Sequence, residues 1–242
     1  VMWQPNVIAQ RPCAFFDVDN TLIDLKSMFS FADFLQDKAL LVPAERFGAW
    51  RERLESLFAA QRPRSEINRF YYTLFEGVEV SAFAEAAQLW FATLPEPDAY
   101  TKPAPLAALK ALQQAGYNTI LVSGSGYHLL APFAAVWQVS DVLCAPQQQK
   151  GGRYTGELDD LPSIGQGKAH FIAQFLHQHQ ISADACLAFG DDLSDFPMLG
   201  AVNKGFLVDP LAPTLIANQD VGYEVFTTIS DQNCTFRQYV CH

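Results

Sequence analysis

In the stretch CAFFDVDNTLID, residues 13–24, Asp17 and Asp19 follow directly on the apolar run Ala14, Phe15, Phe16, with Asn20 and Thr21 beside them. Carboxylates are costly to take out of water, so an acidic pair where a buried segment ends needs a cause. Two later apolar runs also end in polar clusters: Ser123, Gly124 and Ser125 in NTILVSGSG, and Asp191, Asp192 and Asp195 in ACLAFGDDLSD. If these ends meet, the aspartates crowd one place. They cannot all stay ionised there without a cation, because like charges at short range raise one another's pKa. Magnesium is the natural cation: it is hard, takes carboxylate and carbonyl oxygens, and leaves room for water and a phosphate oxygen.

The elements that would bring the clusters together are legible as a rhythm. From Tyr100 onward, short apolar runs alternate with amphipathic stretches: a helix with Leu106, Leu109 and Leu112 on one face, closed by Gly116, then NTILV, VLCA, ACLAF and GFLV as buried strands. Strand and helix in alternation predict an α/β fold, a doubly wound parallel sheet with helices on both faces. Ligands bind such sheets beyond the carboxyl ends of the strands, where all three polar clusters fall. Residues 25–97 differ: MFSFADFLQ, RFGAWRERLESLFAAQ and INRFYYTLF have helical periodicity and few strand signals. The proline-rich LPEPDAYTKPAP marks the way back. The expected organisation is a core of residues 1–24 and 98–242 with a helical insert over 25–97. PQQQKGGRYTGEL, with Gly151 and Gly152 at its centre, reads as a β-hairpin.

Bulk properties narrow the partners. The chain has 242 residues, half of them hydrophobic, 17% charged, with a formal net charge of −10. An acidic surface repels nucleic-acid backbones and anionic lipids, so neither is expected as a partner. The richest apolar stretch, His128 to Trp137, is short and interrupted by Pro132, so no membrane span is expected. The opening VMWQPNVIAQRP has no signal-peptide pattern, and Cys13, Cys144, Cys186, Cys234 and Cys241 lack CxxC spacing. Free thiols in a reducing cytoplasm are the expectation, with Cys234 and Cys241 left open as a pair or as metal ligands. The histidines lack ligand spacing and are given no catalytic role.

Four motifs in order, DVDNT, Ser123 in LVSGSG, Lys168 in GQGKAHF and GDDLSDFPML, resemble those of the haloacid dehalogenase superfamily of phosphohydrolases. A lone DxDxT is weak; the ordered set is specific. The resemblance implies Asp17 as nucleophile forming an aspartyl-phosphate, and Asp19 as general acid and then base. It implies Thr21, Ser123 and the Gly124 amide as phosphoryl ligands, with Lys168 balancing charge on Asp17 and the phosphate. Magnesium would be held by Asp17, by Asp19 through its main-chain carbonyl, and by Asp191, with Asp195 acting from behind; Asp192 has no clear counterpart. The insert resembles the small helical cap of the phosphoserine phosphatase-like branch. Where that branch carries a Glu or Asp to read a substrate ammonium, this chain has Lys26. The resemblance implies a small phosphate monoester; at this departure from its pattern a cation would repel an amine, so phosphoserine is not expected and a sugar, cyclitol or acid phosphate is favoured, with Lys26, Arg62, Arg64 and Arg69 as candidates for reading it. A phosphotransferase or mutase using the same aspartyl-phosphate, and a non-catalytic binding protein of the same fold, are the alternatives. Oligomeric state is left open.

Overall fold

The computed structural model describes residues 2–227 and 238–240. Cys234 and Cys241 lie outside them. The chain enters through β1 (Cys13–Phe16), makes four helices, α1 (Ser27–Asp37), α2 (Ala44–Ala59), α3 (Arg64–Tyr72) and α4 (Val80–Ala92), and returns through α5 (Pro103–Gln114). There follow β2 (Asn118–Gly126), α6 (Tyr127–Trp137), β3 (Asp141–Ala145), the hairpin β4 (Gln147–Lys150) and β5 (Arg153–Leu158), and α7 (Gln166–His179). The last elements are β6 (Leu187–Gly190), α8 (Phe196–Leu199), β7 (Lys204–Val208), α9 (Ala212–Val221) and β8 (Glu224–Phe226).

Six strands form one parallel sheet in the order β3-β2-β1-β6-β7-β8, with Phe15 of β1 paired to Ile120 of β2 and Ala188 of β6. This is the doubly wound α/β architecture expected. β1 and β2 are buried along their whole lengths, as interior parallel strands must be. Alternation sends Cys13 and Phe15 to one face, against Ile172, Phe175 and Leu176 of α7, and Ala14 and Phe16 to the other. On that second face Phe16 stacks on Phe189 at 4.4 Å between ring centroids.

The insert packs on the same second face. Phe31, Phe75, Phe83 and Trp90 form a chain of ring contacts within it, and Trp90 and Phe91 of α4 meet Phe133 of α6. The hairpin forms around Gly151 and Gly152, whose φ values of 59° and 75° suit a turn that side-chain-bearing residues adopt at a cost. β8 is an addition that the sequence pattern did not announce. Among the described residues no helix is long and apolar enough to cross a membrane.

Candidate active site

Three strand ends meet at the carboxyl edge of the sheet. Asp17 leaves β1 buried, its amide bonded to the carbonyl of Phe189 on the neighbouring β6 at 2.9 Å. Lys168, in the first turn of α7 and only 2% exposed, reaches Asp17 Oδ1 and Asp195 Oδ1, each at 2.6 Å. Burial pulls the lysine's pKa down, but the two carboxylates outweigh it and hold the ammonium charged. Thr21 Oγ1 lies 2.9 Å from Asp17 Oδ2 and 3.0 Å from Asp191 Oδ1. Asp195 Oδ2 accepts from the amides of Asp191 at 3.0 Å and Asp192 at 3.1 Å, so one of its oxygens shapes this loop while the other meets Lys168.

Asp19 is held at the start of α1, where Ser27 donates its amide at 2.9 Å and its hydroxyl at 3.1 Å to Oδ2. The other oxygen, Oδ1, is buried with no hydrogen-bond partner. Burial, followed by the charge of Asp17, pushes the Asp19 carboxyl up to about 7. Asn20, next in the chain, sits in the left-handed region at φ 61°, an uncommon backbone for a residue with a side chain. Ser27 also meets Ser125 of β2 at 2.6 Å between hydroxyl oxygens, which ties the Asp19 support to the strand carrying Ser123. Ser123 is buried, and its Oγ accepts from the Ser125 amide at 3.1 Å.

The insert closes one side of a cavity of about 120 Å³ over these groups. Lys26 and Arg64 line it, together with Phe29, Phe58, Asn68 and Tyr71. Arg64 bridges to Asp192 and lies 3.3 Å from Ser194 Oγ, a contact from the insert to the loop beside Asp191. Burial would raise the Asp192 carboxyl, but Arg64 and the Ser194 donors reverse this and hold it below its usual value. The other two arginines are placed elsewhere: Arg62 pairs with Glu66 on an exposed face at 2.8 Å, and Arg69 donates to the Asp160 carbonyl at 3.2 Å. Ser27, Asn68 and Tyr72 were not foreseen. A serine at a helix start and polar groups on an amphipathic helix carry no signal of their own.

The donor set suits a hard cation. Asp17, Asp191 and Asp195 each offer a carboxylate oxygen, the three within 4.8 Å of one another. Burial, then the charges of Asp17 and Asp195, pushes Asp191 up to about 9. A single lysine does not balance that much negative charge, and oxygen donors alone are the set that magnesium takes.

A protein of Mycobacterium tuberculosis named "Probable phosphatase" is 26% identical over 202 residues, covering 83% of this chain and 69% of its own. A Bordetella pertussis protein of unknown function superposes with a TM-score of 0.79 at 21% identity, covering 91% of this chain and 100% of its own. A phosphoserine phosphatase solved as a phospho-aspartyl intermediate analogue shares the fold with a TM-score of 0.62 at 14% identity, over 95% and 99% of the two chains. Residues 14–200 match the haloacid dehalogenase-like hydrolases, and the chain belongs to that family.

Proposed function

We propose that the protein is a magnesium-dependent phosphomonoesterase that hydrolyses a small-metabolite phosphate through an aspartyl-phosphate on Asp17. The observation that carries this reading is the grip on one carboxylate: Lys168 and Thr21 each bond one oxygen of Asp17, which stands within 4.8 Å of oxygens of Asp191 and Asp195. An Asp17 oxygen bonds to phosphorus while the bond from phosphorus to the leaving oxygen breaks. Asp19, with a carboxyl near 7, gives that oxygen its proton. A water then attacks phosphorus, Asp19 takes up its proton, and the bond from phosphorus to Asp17 breaks to release phosphate. Thr21, Ser123 and the Gly124 amide hold the phosphoryl oxygens, and Lys168 limits the charge that accumulates on Asp17. Asp17, Asp191 and the Asp19 main-chain carbonyl would hold the magnesium, with Asp195 fixing the loop from behind. When bound, the ion supplies positive charge to the phosphoryl oxygens.

The insert, residues 25–97, acts as the cap on the core of residues 1–24 and 98–242: its cavity wall excludes water and selects the substrate. Lys26 in that wall disfavours an ammonium and suits an acid, sugar or cyclitol phosphate, so phosphoserine is not the substrate proposed. Buried free thiols at Cys13 and Cys186 suit a reducing cytoplasm. The test is phosphate release from a panel of amine, carboxylate, sugar and nucleotide phosphomonoesters, with magnesium or with chelator. Turnover is expected with magnesium only, led by sugar or acid phosphates, and Asp17→Asn is expected to reduce it to background. Equal rates in chelator, or near-normal rates in Asp17→Asn, would overturn the mechanism; preference for phosphoserine would overturn the substrate reading alone.

A further inference from the structure

The carbonyl oxygen of Gly124 accepts two hydrogen bonds from one helix of the insert, from Asn68 Nδ2 at 3.0 Å and from the Tyr72 hydroxyl at 2.5 Å. The two donors are four residues apart on α3, on one helical face, and both are buried. A carbonyl oxygen has two lone pairs, so the insert saturates this one. It is held toward α3.

The peptide that follows is trans and planar, so its N–H points opposite to its carbonyl. Drawing the Gly124 carbonyl to α3 sends the Ser125 N–H the other way, where it donates to Ser123 Oγ at 3.1 Å. A serine hydroxyl has one hydrogen to donate and two lone pairs. With one lone pair engaged by the amide, the Ser123 hydrogen remains to be given to a substrate oxygen. The approach is tight enough to fix the peptide. A Cβ at position 124 would lie 2.7 Å from Asn68 Nδ2 and 2.6 Å from Ile164 Cδ1, so a side chain there would have to displace the Asn68 amide or Ile164.

We propose that Asn68 and Tyr72 are positioning residues that, through the Gly124–Ser125 peptide, set the Ser123 hydroxyl to donate to the phosphoryl group. The proposal rests on Ser123 binding phosphate, as read above. Its consequence is that the insert controls the grip on the phosphoryl group as well as the leaving-group pocket. Loss of either donor weakens all phosphate monoesters by the same factor, whereas a residue that reads the leaving group discriminates among them.

The experiment is calorimetric binding of orthovanadate to the magnesium-loaded full chain, in a double-mutant cycle of Tyr72→Phe with Ser123→Ala, repeated with Asn68→Ala. Ser123→Ala is expected to weaken binding about tenfold, the scale of a hydrogen bond to a charged group. Tyr72→Phe and Asn68→Ala are each expected to weaken it about threefold when Ser123 is present, and not at all in the Ser123→Ala background. If Ser123→Ala leaves binding unchanged, the phosphate-binding reading of Ser123 fails and the proposal with it. If Ser123→Ala weakens binding but the α3 variants have no effect, or the same effect with and without Ser123, the positioning role is overturned while that reading stands. Tyr72→Phe removes one oxygen from a buried ring, so it decides the matter even if Asn68→Ala fails to fold.

Discussion

Lys26 stands immediately before the first residue of α1 and lines the same cavity as Asp17 and Asp19. A cation there faces the positive end of the helix dipole, an arrangement that costs rather than contributes stability. Glutamate at this position would ease that conflict, so Lys26→Glu is expected to fold at least as well as the parent. It is also expected to raise kcat/KM for aminated phosphates relative to acid phosphates by about tenfold, one charge contact's worth of discrimination. Unchanged relative rates across the substrate panel would place Lys26 outside substrate recognition. Other residues of the candidate site differ in how far the sequence announced them. Asp17, Asp19 and Thr21 are legible because a strand end keeps them contiguous; so are Asp191 and Asp195. The three arginines could not be sorted, because helix phase decides: Arg64 shares its face with Asn68, one turn on, while Arg69 is rotated from that face and Arg62 precedes the helix. Asn68 and Tyr72 act on Gly124, more than 50 residues away in sequence, and no local pattern reports such a contact.

α6 is one of the elements through which the insert meets the core. Phe133, buried at its centre, touches Phe91 of α4 at 5.0 Å between centroids, Trp90 at 6.3 Å, Tyr100 at 6.1 Å and Trp137 at 5.2 Å. Removing the ring opens a cavity shared by insert and core. Phe133→Ala is therefore expected to cost about 3–5 kcal/mol of folding stability in urea denaturation. A cost below about 1 kcal/mol would mean that the insert does not depend on this contact. The elements themselves were mostly legible, since interior parallel strands such as ILV in β2 and LAF in β6 are continuous apolar runs, and the insert's helices keep their period. β8 was not. Three residues, Glu224, Val225 and Phe226, are too few for a periodic signal, and the strand exists because β7 offers it an edge.

For the molecule as a whole, burying these carboxylates couples folding to pH, and the proposed cation would enter the same balance. Burial and the charge of Asp17 push Asp19 up to about 7 and Asp191 up to about 9 when no ion is bound, whereas both titrate near 4 in an unfolded chain. Between those values the folded state binds protons that the unfolded state has released, so the stability of the metal-free protein falls as pH rises. The protonated carboxyls' contribution is complete below about pH 4 and has been lost once pH passes about 9. Magnesium held as proposed would oppose the trend, because it would take the place of the proton on Asp191 and bind more readily as that carboxylate ionises. In thermal melts at pH 5, 6.5 and 8, Tm in chelator is expected to fall across the series, and the gain in Tm on adding magnesium to grow. The net charge, formally −10 at pH 7 with the five histidines neutral, grows more negative across this range and acts in the same direction, but it does so whether the ion is present in the medium or absent. The magnesium-dependent difference in Tm therefore isolates the site, and a difference that stayed constant from pH 5 to pH 8 would mean that the cation does not displace a proton from Asp191.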